Sequence, residues 1–315
     1  MRVVAGSAAL GERLVRPVLT VGSFDGIHLG HRSILDTVVA RARARGGTAT
    51  VVTFDPHPRK VLSPDHAPRL LSTPEQRLEW IAEAGIDVTL IEPFTEAFAH
   101  TPPERFVREY LHAGLAPVEV YVGYDFRFGR DREGSMRLLT ELGPRLGFAV
   151  TIIPEVTIDG EDVNSTRIRE LVTEGDVGRS ARLLGRPYAI RGRVVAGDRR
   201  GRTLGFPTVN LEPENELLPA PGVYAAQVRL LEGGGPPGPL FGGVCNVGRR
   251  PTFDAGERIV CETHLFDFDR DVYGSRIEVR FHARIRSEQR FPGPEALKAR
   301  IALDAAEARR LLATA

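Results

Sequence analysis

The chain has 315 residues, of which 42 are basic and 41 acidic, so its net charge is +1. This length predicts about two domains, and the balanced charge argues against a protein that holds nucleic acid mainly through phosphate contacts. Two cysteines, Cys245 and Cys261, have neither metal-ligand spacing nor the density of a disulfide scaffold. No apolar run approaches the ~18 residues of a membrane span, and no secretory leader is recognisable. We therefore expect a soluble cytoplasmic protein, a monomer or weak homo-oligomer, that binds small molecules rather than nucleic acid or membrane.

The first predicted element is a strand, a glycine turn and a helix. The apolar run Val18 to Val21 predicts a buried parallel strand. Gly22 and Gly26 mark the turn, and His28 and His31 open the amphipathic segment that follows. The residues that recur on one face of this segment are Ile34, Leu35, Val38, Val39 and Ala42.

The two histidines predict an anion site. Three residues apart on the first turn of a helix, their imidazoles point the same way, beside the unpaired N–H groups and the positive dipole end of that turn. One histidine near a strand end is usually structural, but His-x-Gly-His after a strand and a glycine turn resembles the motif of the nucleotidylyl transferase superfamily and of class I aminoacyl-tRNA synthetases. Such a site suits a nucleoside triphosphate.

Further strands alternate with helices along the first half of the chain, which predicts a doubly wound, Rossmann-like parallel sheet. Neither the dinucleotide fingerprint nor the P-loop motif is present, so a phosphate site must use the His-x-Gly-His turn. The predicted strands are Thr48 to Phe54, Ile86 to Ile91, Val118 to Val122 and Ala149 to Ile153, and two of the helices are Thr101 to Leu111 and Ser135 to Leu146.

Two loops follow strands at the sheet edge where open α/β sheets bind ligands. The first is Asp55-Pro56-His57-Pro58, where Phe54 and His57 either stack on a planar ring or serve the loop itself. The second is Gly123 to Gly129, which contains Asp125 and Phe128. Its aromatic residues suit a pocket for a ring, or they plug the end of the sheet.

The segment Val163 to Arg169 starts a further helix. Hydroxyl groups there are ordinary capping residues, but two hydroxyls, free N–H groups and two arginines also make a second phosphate clamp. Class I synthetases would carry Lys-Met-Ser-Lys-Ser in this role, and that sequence is absent. After a short helix, Gly185-Arg186-Pro187 breaks the pattern. We place the domain boundary there, giving domains 1–185 and 186–315.

Beyond the boundary the apolar period changes from 3.6 to 2, which predicts an antiparallel Greek-key β-barrel. Gly233 to Pro239 is a predicted loop, and Pro294 to Leu312 a terminal helix with Leu297, Ile301, Ala305 and Ala308 on its packed face. The predicted strands are Tyr188 to Val195, Val223 to Leu231, Gly242 to Val247, Ile259 to Phe266 and Ile277 to Ile285.

The segment Gly197 to Leu211 resembles the riboflavin kinase motif. With the first half, the whole chain resembles the prokaryotic bifunctional FAD synthetases, in which a riboflavin kinase is fused to an FMN adenylyltransferase. The segments that carry the resemblance are His28 to His31, Thr53 to Pro58, Gly123 to Gly129, Ser165 to Arg169, Gly205 to Asn210 and Asn246 to Phe253.

For the kinase half, the resemblance implies that Thr208 and Asn210 bind Mg²⁺ through oxygen atoms, as a hard cation requires. Glu262 would be the catalytic base that takes the proton from the ribityl 5′-hydroxyl, although a lone glutamate is usually a surface residue. Arg249 and Arg250 either hold phosphate or stay solvated. The residues implied to bind the ATP of this half are Gly197, Gly201, Leu204, Gly205, Thr208 and Asn210.

For the adenylyltransferase half, the resemblance implies that FMN attacks a second ATP without a protein nucleophile, with His28 and His31 donating to phosphoryl oxygens. The residues implied to bind this ATP are Gly22, Phe24, His28, His31, Asp125, Asn164, Ser165, Thr166 and Arg169. Those implied to surround the flavin are Phe54, Pro56, His57, Pro58 and Phe128. The sequence departs from the family pattern at Asn164, Val209 and Tyr124, where serine, alanine and an acidic residue are usual.

Three other interpretations compete with an enzyme that makes FMN and then FAD. One of the two activities is lost, or the chain is a non-catalytic flavin- or nucleotide-binding regulator, or it is an RNA-binding relative of the synthetases. A pure binder has no use for the set Thr208, Asn210 and Glu262. The near-zero net charge disfavours RNA.

Overall fold

The computed structural model describes residues 1–196, 206–231, 238–251 and 257–314. The chain divides into two compact units. The first comprises Met1–Arg69 and Pro74–Val163, and the second comprises Leu70–Thr73 and Asn164–Ala315. The boundary expected between residues 185 and 186 lies inside the second unit, between a helix and the first strand of a barrel, and it stays a prediction.

The first unit is built on a six-stranded sheet whose neighbouring strands are all parallel. In chain order the strands are β1 (Arg2–Ala5), β2 (Val18–Val21), β3 (Ala49–Asp55), β4 (Val88–Pro93), β5 (Glu119–Gly123) and β6 (Ala149–Ile153). Their order in the sheet is β1-β4-β3-β2-β5-β6. The predicted parallel sheet is confirmed, with the short edge strand β1 added.

Side chains of successive strand residues belong to two separate apolar clusters, one on each face of the sheet, so both faces are covered. Leu19 and Val21 of β2 belong to one cluster and Val18 to the other. Val52 and Val51 of β3 divide in the same way. Each cluster is completed by side chains from the helices, so the strands read as continuous apolar runs.

The helices of the first unit are α1 (Leu29–Arg45), α2 (Pro58–Leu62), α3 (Pro74–Glu83), α4 (Glu96–Ala99), α5 (Pro103–Arg105) and α6 (Met136–Arg145). The predicted apolar face of α1 is confirmed, because Ile34, Leu35, Val38 and Ala42 are buried. The predicted helix Thr101 to Leu111 begins at Pro103 and continues beyond α5 as a π-helix, Phe106–Leu115. A small hairpin of β7 (Thr157–Ile158) and β8 (Glu161–Asp162) was not expected.

The second unit begins with α7 (Ser165–Glu174) and α8 (Val177–Leu184), and its centre is a closed barrel. The barrel strands are β9 (Tyr188–Val195), β10 (Thr208–Pro213), β11 (Gly222–Leu230), β12 (Leu240–Pro251), β13 (Glu257–Leu265) and β14 (Arg276–Arg286). They close antiparallel in the order β10-β13-β12-β11-β14-β9. Since β14 lies beside β11 of the β11-β12-β13 meander, the predicted Greek key is confirmed.

Strand β10 was missed, and it carries two of the predicted site residues, Thr208 and Asn210. The terminal helix α9 (Pro294–Leu312) is confirmed. Its Ala308 is fully buried in a cluster with Val223 of β11 and Val244 of β12. The same helix buries Asp304, which accepts from the guanidinium of Arg286 at 2.7 Å. No helix in the described part of the chain is long and apolar enough to cross a membrane.

Two candidate active sites

The turn between β2 and α1 has an unusual backbone. Phe24, Gly26 and Ile27 have φ angles of 50°, 78° and 36°, in the left-handed region that residues other than glycine rarely adopt. Strained backbone of this kind is held by its surroundings and is concentrated at functional sites. A Cβ on Gly22 would lie 3.2 Å from the ring of Phe24, so the glycine makes room for that ring.

The predicted histidine pair is brought together. His28 caps α1, because its Nδ1 accepts the backbone N–H of His31 at 3.2 Å. The two rings stack with centroids 3.7 Å apart and an interplanar angle of 19°. Since Nδ1 of His28 accepts a hydrogen bond, its proton in the neutral form lies on Nε2. The motif glycine has a role here, because a Cβ on Gly30 would lie 3.1 Å from Nδ1 of His28.

Asp125 belongs to the loop after β5, the strand beside β2. A Cβ on Gly123 would lie 3.3 Å from its Oδ1, so the carboxylate sits over the end of β5. The neighbouring Tyr124 donates its hydroxyl to Glu155. This hydrogen bond, with partial burial, raises the pKa of Tyr124 well above its usual value.

The loop after β3 has both exposed and structural members. Pro56 is exposed and follows a cis peptide bond, and Pro58 is the first residue of α2. His57 is buried and caps α2, since its Nδ1 accepts the N–H of Arg59 at 3.2 Å. His57 therefore serves the loop itself, and its stacking on a planar ring stays a prediction.

Phe54 and Phe128 lie in one aromatic cluster of the first unit. Phe54 meets Phe98 at 5.9 Å between ring centroids, Phe98 meets Phe106 at 6.2 Å, and Phe106 meets Phe128 at 5.3 Å. Both predicted flavin residues are buried in the core. Their contact with a flavin stays a prediction.

The predicted phosphate clamp is the N-terminus of α7. Asn164 is its N-cap, with Oδ1 accepting the N–H of Arg167 at 2.9 Å, so its side-chain oxygen is already engaged by the helix. Ser165 and Thr166 occupy the first turn, and Arg169 follows one turn later. The helix start expected from the sequence is confirmed.

In the barrel, register brings the predicted kinase residues together. Asn210 of β10 lies directly opposite Glu262 of β13, and Glu262 lies opposite Asn246 of β12. Directly opposed residues of antiparallel strands share a face. These three side chains therefore form a polar row across three strands. Thr208 lies two residues from Asn210 on the same face, opposite His264.

The side-chain oxygen of Asn210 is unusual. Asn210 is 8% exposed, and its Oδ1 is buried without a hydrogen-bond partner among the described residues. A buried acceptor left in this state costs free energy. Within the described residues, no group of three or more histidine, cysteine or acidic side chains could hold a metal. Four other predicted ATP-binding residues, Gly197, Gly201, Leu204 and Gly205, lie outside the described part of the chain, as do the side chains of Arg249 and Arg250.

A cavity of about 430 Å³ opens beside Thr208. Pro207 and Thr208 border it on one side, and Phe268 and Tyr273 contribute aromatic rings. Thr263 also lines it and has a buried hydroxyl with no partner among the described residues. Sequence reasoning missed residues 268 to 273, because no periodicity or motif marks them.

Comparisons with known proteins match both halves of the chain. The family model described as FAD synthetase matches residues 12–167, and the riboflavin kinase model matches residues 184–312. The bifunctional riboflavin kinase/FMN adenylyltransferase of Escherichia coli K12 is 40% identical over 292 residues, covering 93% of this chain and 91% of the relative. The chain belongs to this family. The corresponding protein of Bacillus subtilis is 37% identical over 302 residues, covering 94% of this chain and 93% of the relative.

A solved structure has the same fold throughout. The crystal structure of a macrolide-efflux protein from Streptococcus pneumoniae aligns with a TM-score of 0.88 and 28% identity, covering 98% of this chain and 99% of that one. The two family models and the curated relatives assign both reactions to the present chain. It phosphorylates riboflavin to FMN with ATP, and it joins FMN to the AMP part of a second ATP to give FAD.

Proposed function

We propose that the two reactions use two separate sites, the kinase site on the barrel and the adenylyltransferase site at the His-x-Gly-His turn. The observation that carries the kinase assignment is the pairing of Asn210 with Glu262 on neighbouring strands, together with the unpartnered Oδ1 of Asn210. An amide oxygen and a carboxylate on one face are what a metal-assisted phosphoryl transfer needs.

The oxygen donors on β10 fit Mg²⁺. The hydroxyl of Thr208 and Oδ1 of Asn210 would hold it, because a hard cation takes oxygen ligands and the second oxygen is buried with no partner among the described residues. When bound, the ion neutralises charge on the phosphates of ATP.

Glu262 acts as the base for the kinase reaction. The riboflavin 5′-hydroxyl oxygen forms a bond to the γ-phosphorus of ATP, the bond to the β-phosphate oxygen breaks, and ADP leaves. The hydroxyl proton passes to the carboxylate of Glu262. The cavity beside Thr208 receives the nucleoside part of this ATP, with Phe268 and Tyr273 along its wall.

The adenylyl transfer depends on positioning and electrostatics. A phosphate oxygen of FMN forms a bond to the α-phosphorus of ATP, and pyrophosphate leaves. Nε2–H of His28 donates to a phosphoryl oxygen, and the stacked ring of His31 supports it. Gly22 and Phe24 shape the turn, and Asp125 lies at the end of the neighbouring strand.

Other roles rest on the family motif. Ser165, Thr166 and Arg169 are proposed to hold the β- and γ-phosphates, with Asn164 limited to capping α7. Pro56 and Pro58 are proposed to meet the flavin, and Phe54, His57 and Phe128 to form the buried support behind them. We further propose that the protein acts in the cytoplasm, where ATP is available, as a monomer or weak oligomer without a nucleic-acid partner.

Single substitutions test the two-site assignment. Purified His28→Ala and Glu262→Ala variants are given riboflavin, ATP and Mg²⁺, or FMN, ATP and Mg²⁺, and the products are separated by chromatography. His28→Ala is expected to form FMN but not FAD, and Glu262→Ala to form FAD from supplied FMN but no FMN from riboflavin. Equal losses of both reactions in each variant would contradict separate sites.

A further inference from the structure

The first unit contains a buried arginine that neither the motifs nor the reaction explain. Arg77 belongs to α3 and is only 6% exposed. Its Nη1 donates to the carbonyl oxygen of Ser23 at 3.2 Å and lies 3.4 Å from that of Phe54. Its Nε is buried without a partner among the described residues.

The two carbonyl groups belong to, or directly precede, the two loops proposed to bind substrates. Ser23 follows Gly22 and begins the left-handed turn that leads to His28. Phe54 immediately precedes the loop Asp55 to Pro58. One guanidinium therefore connects the nucleotide turn with the proposed flavin loop.

A second hydrogen bond converges on the same carbonyl. The hydroxyl of Thr53 donates to the Ser23 oxygen at 3.2 Å. The entrance of the strained turn is thus held from β3 by a side chain and from α3 by Arg77. Strained backbone persists only where its surroundings fix it in this way.

The charge of Arg77 has specific partners. Asp25, in the nucleotide turn, and Asp55, in the flavin loop, are the carboxylates whose charges favour its protonated form. Burial acts in the opposite direction and lowers the pKa of Arg77 below its ordinary value. Burying a guanidinium is costly, and a hydrophobic residue would fill the same space. The arginine is therefore suited to fixing geometry between the two loops.

We propose that Arg77 is a positioning residue for adenylyl transfer, which sets the nucleotide turn against the flavin loop so that the FMN phosphate meets the α-phosphorus of ATP. The inference rests on the assignment of those two loops to ATP and FMN. In this role Arg77 acts through the carbonyl groups of Ser23 and Phe54. Misplacing reacting groups by about 1 Å can cost about 10²-fold in rate.

The test uses the full-length chain with Arg77→Met, which keeps an unbranched side chain as far as the position of Nε and removes the charge and donors, and Arg77→Lys, which keeps the charge. The matched control is Arg43→Met in the same unit, since Arg43 pairs with Asp87 at the surface. For each variant, kcat and KM are measured for FAD formation from FMN and ATP. FMN formation from riboflavin is measured on the same sample, with the unfolding midpoint.

Arg77→Met is expected to lose about 10²-fold in kcat for FAD formation and to show higher KM for both FMN and ATP. Its FMN formation stays within about twofold of wild type, and Arg77→Lys recovers about tenfold of the loss. Arg43→Met keeps both reactions.

Two results would overturn the proposal. One is a folded Arg77→Met with kcat for FAD formation within about twofold of wild type. The other is a loss in kcat that only follows the folded fraction, with both KM values unchanged and no recovery in Arg77→Lys. If Arg77→Met does not fold, the test uses folded Arg77→Lys. Values of kcat and KM for FAD formation equal to those of wild type in Arg77→Lys would then reject the proposal. Wild-type protein that makes no FAD from FMN would instead refute the proposed function.

Discussion

Replacing Asn210 by leucine should separate stability from catalysis in the kinase site. Leucine has nearly the same branched shape as asparagine but leaves no buried oxygen without a partner. An unsatisfied buried acceptor costs about 1–3 kcal/mol, and Oδ1 of Asn210 is buried in this way among the described residues. Without ligands, Asn210→Leu should therefore unfold at a higher temperature than wild type, by about 4 °C for each kcal/mol gained.

The same variant should lose FMN formation, because its side chain has no oxygen for Mg²⁺. Differential scanning calorimetry is run with and without ATP and Mg²⁺, and FMN is measured by chromatography. The barrel of the wild type should gain stability from the ligands through mass action, whereas the variant should gain much less. Supplied FMN should still be converted to FAD.

Thr20→Val is the matched control for the stability argument. Thr20 lies on β2, is 1% exposed, and has a hydroxyl with no partner among the described residues. Thr20→Val should raise the unfolding temperature by an amount comparable to that of Asn210→Leu and should keep FMN formation. The reasoning is refuted if Asn210→Leu unfolds at a lower temperature than wild type without ligands, or if it forms FMN at nearly the wild-type rate.

Two further substitutions test the first unit. Gly30→Ala should slow FAD formation by about tenfold and leave FMN formation intact, because the added Cβ would lie 3.1 Å from Nδ1 of His28. An unchanged kcat for FAD formation in a steady-state assay would contradict this. Glu119→Gln should lower the free energy of unfolding at pH 7, because hydrogen bonds from Arg41, then from Tyr121 and Arg45, hold the pKa of Glu119 at about 2 against an ordinary 4.5. This shift corresponds to about 3 kcal/mol at most, less because both arginines are about half exposed. Because the pKa of Glu119 is lower in the folded than in the unfolded protein, its carboxylate stabilises the fold above pH 4.5. The difference in the free energy of unfolding between wild type and variant should therefore shrink as the pH falls from 4.5 towards 2. Denaturant titrations that show a constant difference over this range would contradict the prediction.

The strands and helices of the first unit were predictable because their apolar periods are strong. The run Val18 to Val21 is buried at every position, and such a run has few alternatives to a central parallel strand. Strand β1 was missed because it has four residues and lies at the sheet edge, where only Val4 is buried. Its partner β4 supplies the pairing that the local sequence does not show.

Strand β10 illustrates a different limit. Pro207 precedes it and Pro213 is its last residue, and a proline in a sequence argues against a strand there. The polar motif residues Thr208 and Asn210 interrupt the apolar alternation that identified the other barrel strands. The register of β10 on β13 places Asn210 opposite Glu262, which lies 52 positions later in the chain. Local sequence patterns do not show such a pairing.

The site residues divide in a similar way. The pairing of His28 with His31 follows from their spacing on a helix turn, and the structure confirms it. Whether an aromatic residue near a strand end meets a ligand or the core depends on distant packing. Phe128, for example, lies against Phe106 of another element. Arg77 could not be predicted, since an arginine in an amphipathic helix is usually exposed.

The most direct test of two separate sites is a mixing experiment with His28→Ala and Glu262→Ala. Each variant alone, given riboflavin, ATP and Mg²⁺, should make no FAD, because one lacks the adenylyl site and the other the kinase base. Mixed together they should make FAD after transient FMN, since FMN released by the first is a substrate for the second. A mixture that makes no FAD, or either variant making FAD from riboflavin alone, would contradict the two-site account.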